Sequence, residues 1–237
     1  MTLSLLNEAQ VLWQLMRGQP GGDNHRERLE RFYAPQARHY DAFRDRLLPG
    51  RAELLAHLCL APGQHLVELG CGTARNLEFV APGLRAGLAR IDAVDLCPAL
   101  LTEARRRCRA WPNVAVHEAD AARFAPGIEV DRVLLSYSLT MMPDWRATLR
   151  NAFRMLRPGG LIGVVDFCLP RAPHSGMPRW QRHFWRRWFA HDGVHLDSAH
   201  GAFLDGMFER VARLERGHRV PYVPFLEAPY YLYIGRK

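Results

Sequence analysis

Along the first sixty residues the apolar positions recur at helical spacing. Leu5, Leu6, Ala9, Leu12, Trp13 and Met16 share one face, and Pro20-Gly21-Gly22 ends the run. The same periodicity predicts a second helix over Asn24 to Ala37 and a third from Gly50 to Leu60, closed by Ala61-Pro62-Gly63. Beyond that break the period changes. His65 to Leu69, Ile91 to Asp95, Val114 to Glu118, Asp131 to Ser136 and Leu161 to Phe167 are short β-rich runs separated by helix-length connectors. The connectors include Pro98 to Trp111, with an Arg-rich solvent face, and Trp145 to Leu156, which Arg157-Pro158-Gly159-Gly160 terminates. This alternation is the βαβ rhythm of a doubly wound α/β sheet. Arg210 to Val220 and Tyr230 to Gly235 read as two more strands joined by a Pro-rich turn, an antiparallel hairpin at the sheet end. The expected organisation is an N-terminal helical cap over 1–60 and a core over 61–237, with a helical lid insertion near 171–209.

Size and charge narrow the picture. A chain of 237 residues, 48% hydrophobic and 24% charged, fits one packed domain rather than a disordered segment. Thirty-two Lys and Arg against 24 Asp and Glu give a net charge of +8, which draws the molecule toward anionic surfaces. The five cysteines are scattered with no CxxC pair, so neither a metal site nor a disulfide framework is expected, and a reducing cytoplasm fits. Met1 to Trp13 carries Glu8 and lacks a secretory pattern, and no apolar stretch of ~18 residues is present, so any membrane contact is expected to be peripheral, at the inner face.

The sharpest motif is the apolar run His65-Leu66-Val67-Glu68-Leu69 entering Gly70-Cys71-Gly72-Thr73-Ala74-Arg75-Asn76. Glycine at 70 and 72 lets backbone approach a ligand, and a helix start offers free N–H groups. The dinucleotide fingerprint wants a third glycine where this chain has Arg75. S-adenosylmethionine carries no phosphate and can do without it. Asp95, ending the next strand, can accept from both ribose hydroxyls; Asp120, after Val114 to Glu118, can accept from the adenine amine while Ala121 offers an N–H to the ring. Glu68 orders the turn and attracts the ammonium of the methionine end. Cys71 fills the turn as a small hydrophobe.

These motifs, with Leu134-Leu135-Ser136-Tyr137-Ser138 and Leu156-Arg157-Pro158-Gly159-Gly160, resemble the class I S-adenosylmethionine-dependent methyltransferases over about residues 62 to 170. The resemblance implies a Rossmann-like, mostly parallel seven-stranded sheet. It implies a cofactor site of Tyr40, Glu68, Gly70, Cys71, Gly72, Thr73, Asn76, Asp95, Leu96, Asp120, Ala121 and Ser136. Other features resemble the bacterial betaine-lipid N-methyltransferases, which methylate the amine of diacylglycerylhomoserine. They are Tyr40-Asp41, Arg46-Leu47-Leu48-Pro49-Gly50-Arg51, Ser136 to Trp145, Val165-Asp166-Phe167, Phe184 to Phe189, Asp192 to Leu196 and Pro229 to Lys237. The phospholipid N-methyltransferases of the ethanolamine type share the Tyr-Asp and Gly-Arg elements.

An ammonium acceptor must lose a proton before each methyl transfer, and the candidates to take it are Tyr40, Tyr137 and His195. Rings of Tyr40, Tyr137 or Trp145 can face the growing quaternary cation, although Trp145, at a helix start, suits a core or rim role. A homoserine carboxylate could be gripped by Arg46, Arg182 or Arg219. Between Pro178 and Ala190 aromatic residues (Trp180, Phe184, Trp185, Trp188, Phe189) and basic ones (Arg179, Arg182, His183, Arg186, Arg187) occupy opposite helical faces. Such a segment is either a lid packed on the protein or an interfacial helix on anionic lipid. The competing acceptors are phosphatidylethanolamine or a small soluble amine. A nucleic-acid substrate is disfavoured because the arginines are interspersed rather than gathered in a tail. The oligomeric state is not legible.

Overall fold

The computed structural model describes residues 24–35, 37, 40–168, 180–181, 183–185, 187, 196–197, 199–220 and 223–237, the side chains of 40, 42–44 and 223–225 apart. The first predicted helix, Leu5 to Met16, lies outside them. The described chain opens with α1 (His25–Tyr33), whose start is fixed by Asn24: its side chain accepts from the Glu27 N–H at 2.9 Å. Helix α2 (Tyr40–Leu47) was not expected from the sequence, and α3 (Arg51–His57) begins where Gly50 turns at φ 77°.

The sheet follows in the expected rhythm. Its strands are β1 (His65–Leu69), β2 (Arg90–Asp95), β3 (Val114–Glu118), β4 (Val130–Ser136), β5 (Leu156–Phe167), β6 (Glu209–Val220) and β7 (Val223–Arg236). Their order is β3-β2-β1-β4-β5-β7-β6, parallel through β5, with β7 antiparallel to β5 and β6 antiparallel to β7. The connectors are α4 (Pro82–Gly87), α5 (Pro98–Cys108), α6 (Trp145–Met155) and α7 (Ala199–Met207).

Three local expectations are corrected. The Gly-rich turn leads into a 3₁₀ turn, Arg75–Phe79, rather than an α-helix, because Ala74 enters it at φ 57°. Arg157 to Gly160 does not stand as a loop: β5 begins at Leu156, which pairs with Val130, and the extra residues form an irregularity before Leu161 pairs with Arg132. Pro224 and Pro229 lie inside β7 rather than in a turn between the strands, Pro229 pairing with Gly217, and Pro221 falls outside the described residues.

Why the strands read as nearly continuous apolar runs is clear from the two cores. Leu66, Ile91, Ala93, Leu134 and Val165 pack on one face with Leu54 of α3, Leu58 at its C-cap and Leu101 of α5. Val67, Leu69, Val94, Val133, Leu135 and Val164 pack on the other with Leu149 and Ala152 of α6 and Leu204 of α7. Successive residues alternate between two covered faces, so both sets must be apolar. Each fully buried Leu or Val contributes about 1.5 to 3 kcal/mol. The strand order reverses between β1 and β4, and a crevice opens at the carboxyl ends of the strands there.

Candidate functional site

The turn after β1 is built for close approach. Gly70 has φ 75°, and a Cβ on it would stand 2.4 Å from the Ser138 Cβ. Only glycine fits both the backbone and the contact. Gly72, at φ 54°, donates its N–H to Asp95 Oδ2 at 2.8 Å, and Cys97 N donates to Asp95 Oδ1 at 2.9 Å. The N–H groups of Gly70 and Cys71 both donate to the Val94 carbonyl, at 2.8 and 2.9 Å. The N–H groups of Gly70, Cys71 and Gly72 are therefore spent inside the protein. The turn offers a shaped wall rather than a nest of donors, which suits a nucleoside without phosphates.

A crevice of about 270 Å³ lies above the turn. It brings together the predicted residues Gly70, Cys71, Gly72, Thr73, Asn76, Asp95, Leu96, Asp120, Ala121, Ser136 and Tyr137. Asp120 caps its own turn, accepting from Ala122 N at 2.9 Å. Ser136, at the end of β4, is buried and its hydroxyl has no partner among the described residues. The predicted His195 and Arg182 lie outside the described residues, as does the side chain of Tyr40.

Glu68 stands behind the turn rather than on the crevice wall. It is fully buried, accepts from Asn76 Nδ2 at 2.6 Å, and its other oxygen has no partner among the described residues. Burial pushes its carboxyl up to about 8. Burial also raises Asp95 from the ordinary carboxylate range and pushes Asp166 to about 6. Asp166 accepts from Thr140 N and Oγ1 at 3.0 and 2.7 Å, which fixes the loop carrying Met141 and Met142 into the crevice. Tyr137, at φ 52°, lines the crevice and packs at a tilt against Phe167, while its hydroxyl donates to the Pro49 carbonyl at 2.8 Å. Burial holds that phenol well above its ordinary value, so the hydroxyl is a poor proton acceptor.

Several wall residues went unread in the sequence. Leu29 and Tyr33 of α1 share a helical face over the crevice. Asp41 and Asp45, one turn apart on α2, bind that helix to the core. Asp41 accepts from Thr73 Oγ1 at 2.6 Å and pairs with Arg107, which also donates to the Thr73 carbonyl. Asp45 pairs with Arg51 at 2.6 Å and with Arg75 at 2.8 Å. The i, i+4 aspartates were the available signal, hidden because α2 itself was not foreseen. The proposed carboxylate grips Arg46 and Arg219 do not line the crevice: they sit on exposed positions of α2 and β6. Trp145 is core, 6% exposed, and packs edge-on against His200 and Phe203. In the aromatic-basic segment the described residues divide. Trp185 is buried and donates to the Glu227 carbonyl at 2.8 Å, whereas Trp180 is 56% exposed. Among the described residues no group of His, Cys, Asp and Glu could hold a metal ion, and no helix is long and apolar enough to cross a membrane.

With the crevice in view, the likenesses to known proteins can be placed. The family model described as "Methyltransferase domain" matches residues 66–160, from β1 into β5. A trans-aconitate 2-methyltransferase of Methylobacterium nodulans is 34% identical over 128 residues, 54% of this chain and 48% of that protein. The chain spans about half the length of the curated relatives it matches. The N-methyltransferase NodS of Bradyrhizobium japonicum WM9, solved with S-adenosyl-L-homocysteine, superposes with a TM-score of 0.67 at 21% identity, covering 91% of this chain and 99% of NodS. A phosphoethanolamine N-methyltransferase of Haemonchus contortus, solved with phosphomonomethylethanolamine and S-adenosylhomocysteine, gives 0.71 at 14%, covering 92% of this chain and 61% of that one. The fold is the Rossmann-like one of these methyltransferases.

Proposed function

We propose that this chain is an S-adenosylmethionine-dependent N-methyltransferase acting on the amine of a lipid headgroup, with diacylglycerylhomoserine, carried to its trimethyl betaine, as the leading acceptor. The observation that carries the reading is a contrast of charge. Four carboxylates line a crevice in a chain of net charge +8: Asp95, Asp120, Asp144 and Asp41, the last paired with Arg107. The two arginines among its described lining residues, Arg51 and Arg75, are both held by Asp45. An acidic crevice favours a cationic donor and a cationic headgroup, while a basic exterior favours an anionic bilayer. A tricarboxylate acceptor, as in the name of the Methylobacterium relative, would call for uncommitted cations. NodS and the Haemonchus enzyme, which share the fold, are named for nitrogen acceptors.

The residues present fit the cofactor. Asn76 Oδ1 and Ser136 Oγ are buried on the crevice wall without hydrogen-bond partners among the described residues. Bound there, S-adenosylmethionine supplies an electrophilic methyl group on a sulfonium. Asp95 receives the ribose hydroxyls, its remaining lone pairs being open beside the two backbone bonds it already accepts. Asp120 and the Ala121 N–H receive the adenine edge, and Glu68 with Asn76 receives the methionine end. Leu29, Tyr33, Met141 and Met142 keep water from the crevice, where an amine nitrogen held about 3 Å from the methyl, in line, needs little further assistance. The Tyr137 ring faces the quaternary product. The proton lost before each transfer goes to Tyr40, His195 or a water. Exposed Trp180, with His183 and Arg187 also exposed, favours peripheral contact with anionic lipid.

The test is incubation of the purified chain with methyl-labelled S-adenosylmethionine and four acceptors in parallel. These are vesicles of diacylglycerylhomoserine, vesicles of phosphatidylethanolamine, a panel of free amines, and trans-aconitate. Label is expected in the homoserine lipid, with mass increments of one, two and three methyls. Label confined to trans-aconitate would overturn the amine reading; label confined to a soluble amine would remove the lipid from it.

A further inference from the structure

Behind the crevice lies a buried acid that methyl transfer does not use. Glu68 sits one residue before the end of β1 with no solvent exposure, and its single hydrogen bond is the one from Asn76 Nδ2 at 2.6 Å. Among the described residues, neither Glu68 Oε2 nor Asn76 Oδ1 has a partner. Asn76 lines the crevice and Glu68 does not, so the amide stands between the carboxyl and the ligand space. The charged and titratable groups facing Glu68 are Arg51 of α3, Asp95 of β2, Cys71 of the turn, and Arg107 and Cys108 of α5.

Neither arginine satisfies Glu68. Arg51 donates to Asp45 and to the Leu48 carbonyl, and Arg107 to Asp41, Glu78 and the Thr73 carbonyl. Asp95 adds repulsion, and both thiols are held protonated by burial. A carboxylate can accept about four hydrogen bonds, and here it would have one in a dry site. Burial therefore keeps Glu68 protonated through neutral pH, its carboxyl standing at about 8. What the site lacks is a cation. One placed on the crevice side of Asn76 would give Oδ1 its donor and, through the polarised amide, favour a negative Glu68.

We propose that Glu68 couples cofactor binding to proton release: as the ammonium of the methionine end docks on Asn76 Oδ1, Glu68 ionises and its proton leaves to solvent. This rests on the reading of the crevice as a site for S-adenosylmethionine. The balance is one positive charge entering the crevice and one proton departing.

Calorimetry with S-adenosylhomocysteine at pH 7, in buffers of different ionisation enthalpy, counts that proton. The wild-type chain is expected to release close to one proton per ligand. 5′-Methylthioadenosine, a thioether of the same nucleoside without the amino-acid end, is expected to release none. The S-adenosylhomocysteine affinity should rise by up to about tenfold per pH unit from 6 toward 8 and level off above. Glu68→Gln should bind S-adenosylhomocysteine without proton release. Should that variant not fold, Asn76→Ala is expected to keep methylthioadenosine binding and lose the proton. Equal counts for the two ligands, or a count that persists in Glu68→Gln, overturn the coupling while leaving the cofactor reading intact. Failure of the wild-type chain to bind either ligand overturns both.

Discussion

The two ends of the central sheet treat buried carboxylates in opposite ways. Toward the amino ends, Asp92 is fully buried yet well paired: His65 and His117 each hold one of its oxygens at 2.7 Å, and Arg90 sits at 2.9 Å. Asp131 on β4 accepts from His65 N at 2.8 Å and pairs with Arg157 at 2.5 Å. These bonds outweigh burial and hold both carboxyls below their ordinary value. Toward the carboxyl ends, burial prevails instead and Glu68, Asp95 and Asp166 are pushed up. One edge is charge-balanced by the protein alone. The other carries buried acids, unpartnered acceptors and strained turns that a bound cation can complete, the mark of a functional edge.

The contrast breaks most visibly at Asp92. Asp92→Ala leaves Arg90 and two histidines around an empty site and is expected to cost about 3 to 5 kcal/mol in chemical denaturation. It should leave S-adenosylhomocysteine affinity in the folded fraction unchanged. The same pairing sets an acid limit. A depressed carboxyl contributes stability above its unfolded value of 3.8 that is lost as pH falls through the lower folded value, so denaturation from Asp92 and Asp131 belongs below about pH 4.

At the opposite edge, Gly70→Ala forces a positive-φ conformation and the 2.4 Å approach to Ser138. Strain of about 1 to 3 kcal/mol predicts a loss of tenfold to a hundredfold in S-adenosylhomocysteine affinity by calorimetry. Glu68→Gln sharpens the comparison because its sign is reversed. The folded state keeps a proton on Glu68 up to about 8 while the unfolded chain loses it near 4.5, so wild-type stability falls as pH rises between those values. The ligand-free variant should therefore be more stable than wild type at pH 9, by up to about 5 kcal/mol, with the gap closing near pH 5. A gap of the same size at both pH values would show that the carboxyl ionises freely. The smallest effect is expected from Tyr137→Phe, which removes one hydrogen bond to Pro49, worth about 1 kcal/mol, and leaves methyl transfer largely intact. A collapse of turnover with unchanged melting would instead give the hydroxyl a part in the chemistry.

Five parallel strands, their two-faced apolar character and the terminal hairpin were all legible along the chain, because alternation, strand length and turn residues are local properties. The glycines at 70 and 72 and the acids at 95 and 120 were legible for the same reason: each sits at a strand end where the crevice had to open. Helix α2 escaped although Tyr40, Phe43 and Leu47 recur at i, i+3 and i+7, because its eight residues are too short a window to separate from a loop. Its attachment comes from Asp41 and Asp45 reaching Arg107, Arg51 and Arg75, partners up to 66 residues away. What only the tertiary structure decided is how each charge is balanced. A sequence places Glu68 and Asp92 alike, as acids within apolar strands. Desolvation and partner number separate them, and both depend on which side chains other strands and helices bring within about 3 Å.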